Sequence, residues 1–199
     1  MLPLNNTRVQ NIILDLDETL IYSSSFPINN HKPSYIINGI NVYLRPYIKV
    51  FLSFCFNNFK TVNIWSNGTH EWVKPNIENI LRFTKLNCYR YKIGFVRTRI
   101  HSEISNLTIY KNLNTIWNHI LTPQNTIVID DRINNYEKSP GNCVQIKPYN
   151  VVYRDFELLK IINFLLKLRL ENDVRDGISD FNKNNKFTFI PLNLKVIAF

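Results

Sequence analysis

Residues 11–25 read NIILDLDETLIYSSS, and this stretch decides how the chain folds. Residues 12–14 are apolar, as in a buried strand. Two aspartates, Asp15 and Asp17, then follow one position apart. Aspartate is disfavoured in strands, and side chains two positions apart point to the same side, so the two carboxylates repel each other. The stretch therefore predicts a buried strand that ends on two acids, whose repulsion a positively charged partner must offset.

The composition is that of a basic globular protein. The 199 residues suffice for one domain with a sizeable core, and 45% of them are hydrophobic. The formal net charge of +9 favours an anionic partner. Nucleic acid, acidic peptide, phosphorylated protein and a membrane surface all meet that condition, and charge does not choose among them.

Several patterns favour an intracellular protein. Cys55, Cys88 and Cys143 are odd in number and lack zinc-ligand spacing, so we interpret them as buried thiols of a reducing compartment. The first ten residues do not resemble a secretory signal, and the longest apolar stretch, residues 158–170, is short and interrupted by basic residues. We expect a monomer of the nucleus or cytoplasm, neither secreted nor membrane-bound. The asparagine-rich composition also suits a large DNA virus or an AT-rich protist.

Hydrophobic periodicity predicts alternating strands and helices. Short apolar runs indicate parallel strands buried on both faces, at residues 12–17, 61–65, 126–130 and 143–147. Helical spacing occurs at residues 46–59, 76–83, 112–121 and 153–174. Strands that alternate with helices predict an α/β fold with an open parallel sheet flanked by helices.

One segment departs from this alternation. Residues 34–46, SYIINGINVYLRP, carry Asn38-Gly39 between two β-prone arms, which is a strong signal for a hairpin. A hairpin inserted soon after the first strand is expected to lie over that strand's C-terminal end, the edge where ligands of such sheets bind. The alternating pattern of residues 182–199 predicts a further strand or a segment that wraps the domain.

The C-terminal ends of parallel strands meet at one edge of the sheet, and polar residues collect there. They are Asp15 and Asp17 after the first strand, Ser66, Asn67 and Gly68 after the second, Asp130 and Asp131 after residues 126–129, and Lys111 before a stretch with helical spacing. Carboxylates so placed repel one another by several kcal/mol at an effective dielectric of about 20. A Mg²⁺ ion relieves that repulsion, since it prefers oxygen ligands and binds a few carboxylates together with substrate phosphate.

These residues suit phosphoryl transfer. Asp15 can attack phosphorus to form an acyl phosphate, provided that Mg²⁺, Lys111 and donors such as the Ser66 hydroxyl neutralise the charge of the transferring oxygens. Asp17 would protonate the leaving alkoxide and later activate the water. Its partial burial and a neighbouring negative charge are expected to raise its pKa.

At these residues the chain resembles a known family. DLDETL is similar to the first motif of the haloacid dehalogenase superfamily, in the form used by FCP/SCP phosphatases, which act on the C-terminal repeat domain of RNA polymerase II. LRPYIKVFL, IWSNGTHEW, YKNL and IVIDDR resemble the family's later motifs in order, and ENDVRDGI resembles the end of its catalytic domain. The resemblance predicts a phosphatase domain over residues 1–178 and a C-terminal extension of unknown role over residues 179–199.

The resemblance implies a role for each matched residue. Asp15 would be the nucleophile and Asp17 the acid/base with its backbone carbonyl on Mg²⁺. Asp131 would be a direct metal ligand, and Asp130 a more distant or water-mediated one. Lys111 and Ser66 would bind phosphate, although Ser66 stands where the family usually has threonine.

Other assignments stay open between a functional and a structural interpretation. Thr19 is either a catalytic helper or a cap of the first turn. Phe26 and its neighbours in the insertion either form a peptide groove or simply pack. Arg97 and Arg99 either meet a second phosphate or an acidic chain, or form a solvated basic face. The four histidines share no ligand spacing, so zinc is not expected.

The function expected from these features is that of a Mg²⁺-dependent protein serine/threonine phosphatase. Its substrate would be a phosphorylated peptide such as the polymerase repeats. A phosphatase of nucleic-acid ends or nucleotides is the alternative enzyme. A catalytically inactive scaffold that binds phosphopeptides is the alternative from another class.

Overall fold

The computed structural model describes residues 10–105, 108–151, 154–168 and 171–184. The strands in these ranges are β1 (Asn11–Leu14), β2 (Ile21–Ser24), β3 (Tyr35–Ile37), β4 (Ile40–Leu44), β5 (Thr61–Trp65), β6 (Ile93–Arg97), β7 (Glu103–Ser105), β8 (Thr108–Tyr110), β9 (Thr126–Asp130) and β10 (Cys143–Gln145). The α-helices are α1 (Ile48–Asn58), α2 (His70–Thr84), α3 (Glu157–Leu168) and α4 (Val174–Asn184).

A parallel five-stranded sheet forms the centre of the fold, with strand order β10-β9-β1-β5-β6. β1 lies in the middle and pairs with β5 on one side and β9 on the other. All four of its residues are buried, and three of them, Ile12, Ile13 and Leu14, are apolar. The predicted open α/β sheet flanked by helices is therefore confirmed, and β1 delivers Asp15 to the middle of the sheet edge.

The hairpin predicted at Asn38-Gly39 is also present. Both turn residues have positive φ, 49° for Asn38 and 80° for Gly39, which is the geometry of the tight turn that this pair favours. The structure adds a third strand, because β2 pairs with β4 on the side opposite β3. The insertion is thus a small antiparallel sheet attached directly to the turn that follows β1.

The stretch at residues 112–121 was expected to be helical, and this expectation is wrong. Only a 3-10 turn forms, over Leu113–Thr115. The side chain of Asn118 accepts hydrogen bonds from the backbone N–H groups of Ile120 and Leu121, and that of Asn112 accepts one from Asn114. Short amide side chains that bond to nearby backbone in this way compete with helix formation.

The helix expected at residues 153–174 forms as the shorter α3, over Glu157–Leu168, and a second helix, α4, begins at Val174 where the predicted helix was to end. The Asp173 carboxylate accepts a hydrogen bond from the backbone N–H of Arg175, so it caps the start of α4. Gly177 lets the second helix pack closely, since a Cβ there would lie 2.4 Å from Leu168. The apolar stripe of α3 is buried in the core, with Leu158 and Ile162 fully enclosed.

The predictions for the cysteines, the domain end and the C-terminal strand have three different outcomes. Cys55 and Cys143 are buried, but Cys88 is exposed, so the prediction of three buried thiols is wrong for Cys88. Helix α4 continues across the predicted domain end at residue 178, and the division there stays a prediction. The strand expected within residues 182–199 falls mainly outside the described residues.

Within the described ranges, no helix combines the length and apolarity needed to span a bilayer.

Candidate active site

The neighbouring strands β9, β1 and β5 end at the same edge of the sheet. Asp130 is the last residue of β9, while Asp15 and Ser66 come directly after β1 and β5. The backbone N–H of Asp15 still bonds to the carbonyl of Ile129, which fixes where the Asp15 side chain leaves the sheet. The predicted convergence of polar side chains at this edge is therefore what the topology produces.

Lys111 lies in the middle of these acids. Its ammonium nitrogen is 2.6 Å from Asp15 Oδ1 and 2.6 Å from Asp130 Oδ2, and its side chain is fully buried. Its backbone N–H bonds to the carbonyl of Asn135, which ties the lysine to the loop after β9. Lys111 thus reaches the site from the segment after β8 rather than from the start of a helix.

We call Asp15, Lys111 and Asp130 the lysine cluster. In this cluster, one ammonium contacts two buried carboxylates. Burial alone would lower the pKa of Lys111, but the charges of Asp130 and Asp15 outweigh it and raise that pKa. Burial raises the pKa of Asp15 well above its ordinary value, against the opposing charge of Lys111. The cluster is therefore one positive charge short of neutrality when both acids are ionised.

Asp17 is held by uncharged donors instead. The indole N–H of Trp72 donates to its Oδ1 at 2.9 Å, and the hydroxyl of Ser66 donates to its Oδ2 at 3.2 Å. Burial raises the pKa of Asp17, while these two hydrogen bonds act in the opposite direction. The raised pKa agrees with the expectation from burial, although the neighbouring charge that adds to it belongs to Glu18.

Asp131 lies beside the lysine cluster. Its backbone N–H donates to the hydroxyl of Thr19 at 3.1 Å, and that hydroxyl lies 3.4 Å from Asp131 Oδ1. Burial, with the charges of Asp130 and Glu18, raises the pKa of Asp131 to about 6. Thr19 therefore contacts the acid of the neighbouring strand end as well as belonging to the turn after β1.

A buried arginine fixes that turn. Arg45 donates to the carbonyls of Thr19 and Lys147, at 2.9 and 2.7 Å, and forms an ion pair with Asp155 at 2.9 Å. Glu18 has φ 61°, a left-handed conformation that is uncommon for a residue with a side chain. The arginine thereby holds the backbone immediately after Asp17 to two distant segments of the chain.

Asp130 and Asp131 differ in how many donors they already have. Asp130 accepts hydrogen bonds from Lys111, from the backbone N–H of Arg132 and from the Asn135 amide. The ion-pair contact of the Asp131 carboxylate is longer, 3.6 Å to the exposed Arg132 side chain. Asp131 therefore has more coordination capacity left than Asp130.

The carboxylate oxygens fit a hard divalent cation. Oxygens of Asp15, Asp130 and Asp131 all lie within 4.8 Å of one another, and all three residues are buried. Oxygen donors of this kind are those that Mg²⁺ prefers, and a cation would supply the positive charge that the lysine cluster lacks.

A cavity of about 370 Å³ opens above these acids. Its lining includes Asp15, Asp17, Ser66, Asn67, Gly68, Arg99, Asp131 and Arg132. Ser23 of β2 and Ile40 of β4 line another wall, so the antiparallel insertion does lie over the end of β1 as expected. The cavity thus joins the acidic sheet edge to an outer part where the exposed Arg99 and Arg132 lie together with Glu18.

Two residues predicted to bind substrate are not among those that line this cavity. Arg97 places its guanidinium 4.8 Å from the ring centre of Trp65 and donates to the Thr115 hydroxyl. Phe26 is 79% exposed. Arg99 does line the cavity, with its Nε–H bonded to the Asn67 carbonyl at 2.8 Å. Of the two arginines weighed for a second phosphate, the structure brings Arg99 to the site.

Sequence reasoning missed Trp72, Arg45 and Arg132. Trp72 and Arg45 stand inside the motifs IWSNGTHEW and LRPYIKVFL, but the motifs alone do not say what their side chains contact. A signal did exist for Arg45, because an arginine within an apolar segment next to a proline has to find buried partners.

An acidic pair after β1, a buried lysine between the strand ends and a second acidic pair at the end of β9 form the arrangement expected from the resemblance to the haloacid dehalogenase superfamily. Comparison with known families makes this specific. Residues 10–175 match the NLI interacting factor-like phosphatase family, which covers most of the chain. The chain belongs to that family.

Individual relatives and solved structures agree. Ubiquitin-like domain-containing CTD phosphatase 1 of Homo sapiens is 27% identical over 177 residues, with 83% of this chain and 51% of the relative covered. The CTD phosphatase-like protein 355R of Invertebrate iridescent virus 6 is 30% identical over 175 residues, with 75% and 91% covered. The structure of Fcp1, an essential RNA polymerase II CTD phosphatase, superposes with a TM-score of 0.52 at 20% identity, covering 93% of this chain and 56% of that one. That likeness shows the fold, and the chain spans about half the length of the first of these relatives.

Proposed function

We propose that this chain is a Mg²⁺-dependent phosphatase of phosphoserine or phosphothreonine in extended peptides, with an aspartyl-phosphate intermediate on Asp15. The observation that carries the proposal is the contrast at the sheet edge. Asp15 has a buried lysine at 2.6 Å, whereas Asp17, two residues on, is held by neutral donors and faces the same cavity. A nucleophile needs to be ionised, and an acid/base needs to exchange a proton.

In the first step, Asp15 attacks phosphorus. A bond forms between its carboxylate oxygen and phosphorus, the bond from phosphorus to the serine oxygen breaks, and the electron pair goes to that oxygen. Asp17 gives the oxygen its proton, so a neutral serine leaves. Lys111 stays bonded to Asp15 and offsets the negative charge that collects at the site.

In the second step, Asp17 takes a proton from water as the water oxygen bonds to phosphorus. The bond from phosphorus to Asp15 breaks, and the electron pair returns to the Asp15 carboxylate. Phosphate leaves, and both acids regain their starting protonation. Ser66, Asn67 and Gly68 line the cavity where the phosphate would lie, and the Ser66 hydroxyl, which the Gly68 N–H positions at 3.0 Å, would bind its oxygens.

Mg²⁺ would be held by Asp15, Asp131 and the backbone carbonyl of Asp17. Asp130 would be a more distant or water-mediated ligand. When bound, it neutralises phosphate oxygens. The greater coordination capacity of Asp131 supports this division of roles, since Asp130 already accepts three hydrogen bonds from the protein.

The substrate class is proposed on two grounds. Relatives named as CTD phosphatases act, by their names, on a phosphorylated protein segment, and the C-terminal repeats of RNA polymerase II are the proposed substrate for this chain also. Arg99 and Arg132 at the cavity mouth would favour a phosphorylated or acidic chain. The net charge of +9 equally allows a phosphorylated nucleic-acid end, which is the alternative enzyme substrate.

The experiment compares phosphate release from three substrates with Mg²⁺ present: a phosphoserine repeat peptide, a 3′-phosphorylated oligonucleotide and an aryl phosphate. We expect turnover of the peptide and the aryl phosphate, and none of either without Mg²⁺. Turnover of the oligonucleotide but not of the peptide would replace the proposed substrate class. Binding of the peptide without turnover of any substrate would favour the inactive scaffold.

A further inference from the structure

Trp72 contacts the acid/base directly. It lies in the first turn of α2, lines the cavity, and donates its indole N–H to Asp17 Oδ1 at 2.9 Å. An indole N–H can only donate a hydrogen bond, and it does not ionise at neutral pH. The contact therefore fixes one oxygen of Asp17 without competing for the catalytic proton.

The backbone before the helix makes this contact possible. A Cβ on Gly68 would lie 2.7 Å from Trp72 Cδ1 and 3.2 Å from Ser66 Oγ, so only a residue without a side chain lets the indole come this close. The Gly68 N–H donates to Ser66 Oγ at 3.0 Å, and that hydroxyl donates to Asp17 Oδ2. Residues 66–72 thus hold both oxygens of Asp17 from a single segment.

We propose that Trp72 is a positioning residue that aims Asp17 at the leaving oxygen and so gives the site its activity on alkyl phosphates such as phosphoserine. This inference rests on the proposed function. Oδ2 is the oxygen that carries the proton, because the Trp72 N–H at Oδ1 can only donate, whereas the Ser66 hydroxyl at Oδ2 can rotate away or accept. In the step that breaks the bond from phosphorus to the serine oxygen, that proton passes to the serine oxygen as it receives the electron pair.

If Trp72 has this role, the loss of kcat/KM on removing its hydrogen bond should depend on the leaving group. A serine alkoxide is a poor leaving group and needs its proton during bond cleavage, whereas a nitrophenolate leaves readily without one. The quotient kcat/KM covers the steps up to this cleavage. Loss of the Trp72 contact should therefore lower kcat/KM for a phosphoserine peptide far more than for 4-nitrophenyl phosphate.

The test uses Trp72→Phe, which keeps an aromatic ring and removes the N–H donor. Trp117→Phe is the matched control, because the Trp117 indole N–H bonds to Asn114 away from the cavity. We expect Trp72→Phe to lower kcat/KM for the phosphoserine peptide at least about tenfold and for 4-nitrophenyl phosphate less than about threefold. Trp117→Phe should change neither value.

Gly68→Ala provides a second variant, since its new Cβ would displace the indole with Trp72 still present. Because that Cβ also approaches Ser66 Oγ, we expect losses on both substrates, with the larger loss on the peptide. Equal losses on both substrates in these variants, or no loss on the peptide, would overturn the positioning role while leaving the proposed function intact. A wild-type protein that hydrolyses neither substrate would overturn the proposed function and this inference with it.

Discussion

Asp15 and Asp17 lie two residues apart on the same turn, yet their carboxylates have different partners. The Asp15 side is charged, because Lys111 bridges Asp15 to Asp130 within the lysine cluster. The Asp17 side is neutral, because Trp72 and Ser66 each donate one uncharged hydrogen bond. The charge of Lys111 opposes the rise that burial causes in the pKa of Asp15 and so favours its ionised form, whereas neutral donors fix orientation and still allow a proton to come and go. The difference in partners therefore matches the proposed difference in role.

The largest effects are expected when each acid in turn is replaced by its neutral amide. Asp15→Asn should lower kcat/KM at least about 10³-fold on every substrate, because no nucleophile remains. Asp17→Asn should lower it about 10²-fold on a phosphoserine peptide and much less on 4-nitrophenyl phosphate. Steady-state kinetics with both substrates measures this, and the exposed Asp180→Asn serves as control. Similar leaving-group dependence in the Asp15 and Asp17 variants would contradict the division of roles.

The second prediction removes the charge from the Asp15 side. Lys111→Met leaves two buried carboxylates without their cation, so the free energy of unfolding at pH 7 should fall by about 3–5 kcal/mol. The deficit should shrink as the pH falls, because protonation of the acids removes the unpaired charge. Urea denaturation at several pH values measures both effects.

Lys138→Met is the matched control for that prediction. Lys138 pairs with Glu103 at the surface, where its side chain is 55% exposed, and its loss should leave stability unchanged. Equal losses of stability in the two lysine variants would mean that the buried ion pairs of the lysine cluster stabilise the fold no more than the exposed Lys138–Glu103 pair does.

The third prediction concerns Mg²⁺ and pH. Burial raises the pKa of Asp131 from an ordinary 3.8 to about 6, so the folded protein holds this proton more tightly than the unfolded chain does. Without metal, stability should therefore fall as the pH rises through that interval. Mg²⁺ must displace the proton, so its apparent affinity should weaken up to about tenfold for each pH unit below 6.

Calorimetric titration of Mg²⁺ at pH 5 and pH 7.5 checks this, together with melting temperatures in the presence and absence of the ion. In Asp131→Asn, the pH dependence should become smaller, and the part that remains is expected from Asp15, because burial also raises the pKa of that acid. An affinity that is equal at both pH values would exclude Asp131 as the titrating ligand.

Much of the sheet edge could be predicted from the sequence, because apolar runs fix where strands end. Asp15, Ser66 and Asp130 follow or close such runs, so a parallel sheet necessarily brings them together. β6 was not predicted. It is the outermost strand of the sheet, its residues alternate between half-buried and exposed, and its sequence, IGFVR, lacks a continuous apolar run. The helix predicted at residues 153–174 was too long, because the sequence alone did not distinguish Asp173 as the cap of a new helix from a residue inside a continuing one.

Contacts between distant side chains could not be predicted. The Trp72 bond to Asp17 depends on the direction in which α2 leaves the sheet and on the space beside Gly68, neither of which is local in sequence. The buried Arg45–Asp155 pair joins residues 110 positions apart. Such partners are set by the packing of whole elements, whereas periodicity reports only on the elements themselves.

The central claim is that Asp15 becomes phosphorylated, and chemical trapping tests it most directly. The protein is mixed with a phosphoserine peptide and Mg²⁺, quenched in acid during turnover and treated with borohydride, which reduces an aspartyl phosphate to homoserine. Peptide mass spectrometry then reads the peptides that contain residues 11–25 and 126–132. We predict homoserine at position 15 alone, and only when substrate and Mg²⁺ are both present. Unmodified Asp15 during active turnover, or homoserine at position 17 or 131, would contradict the account.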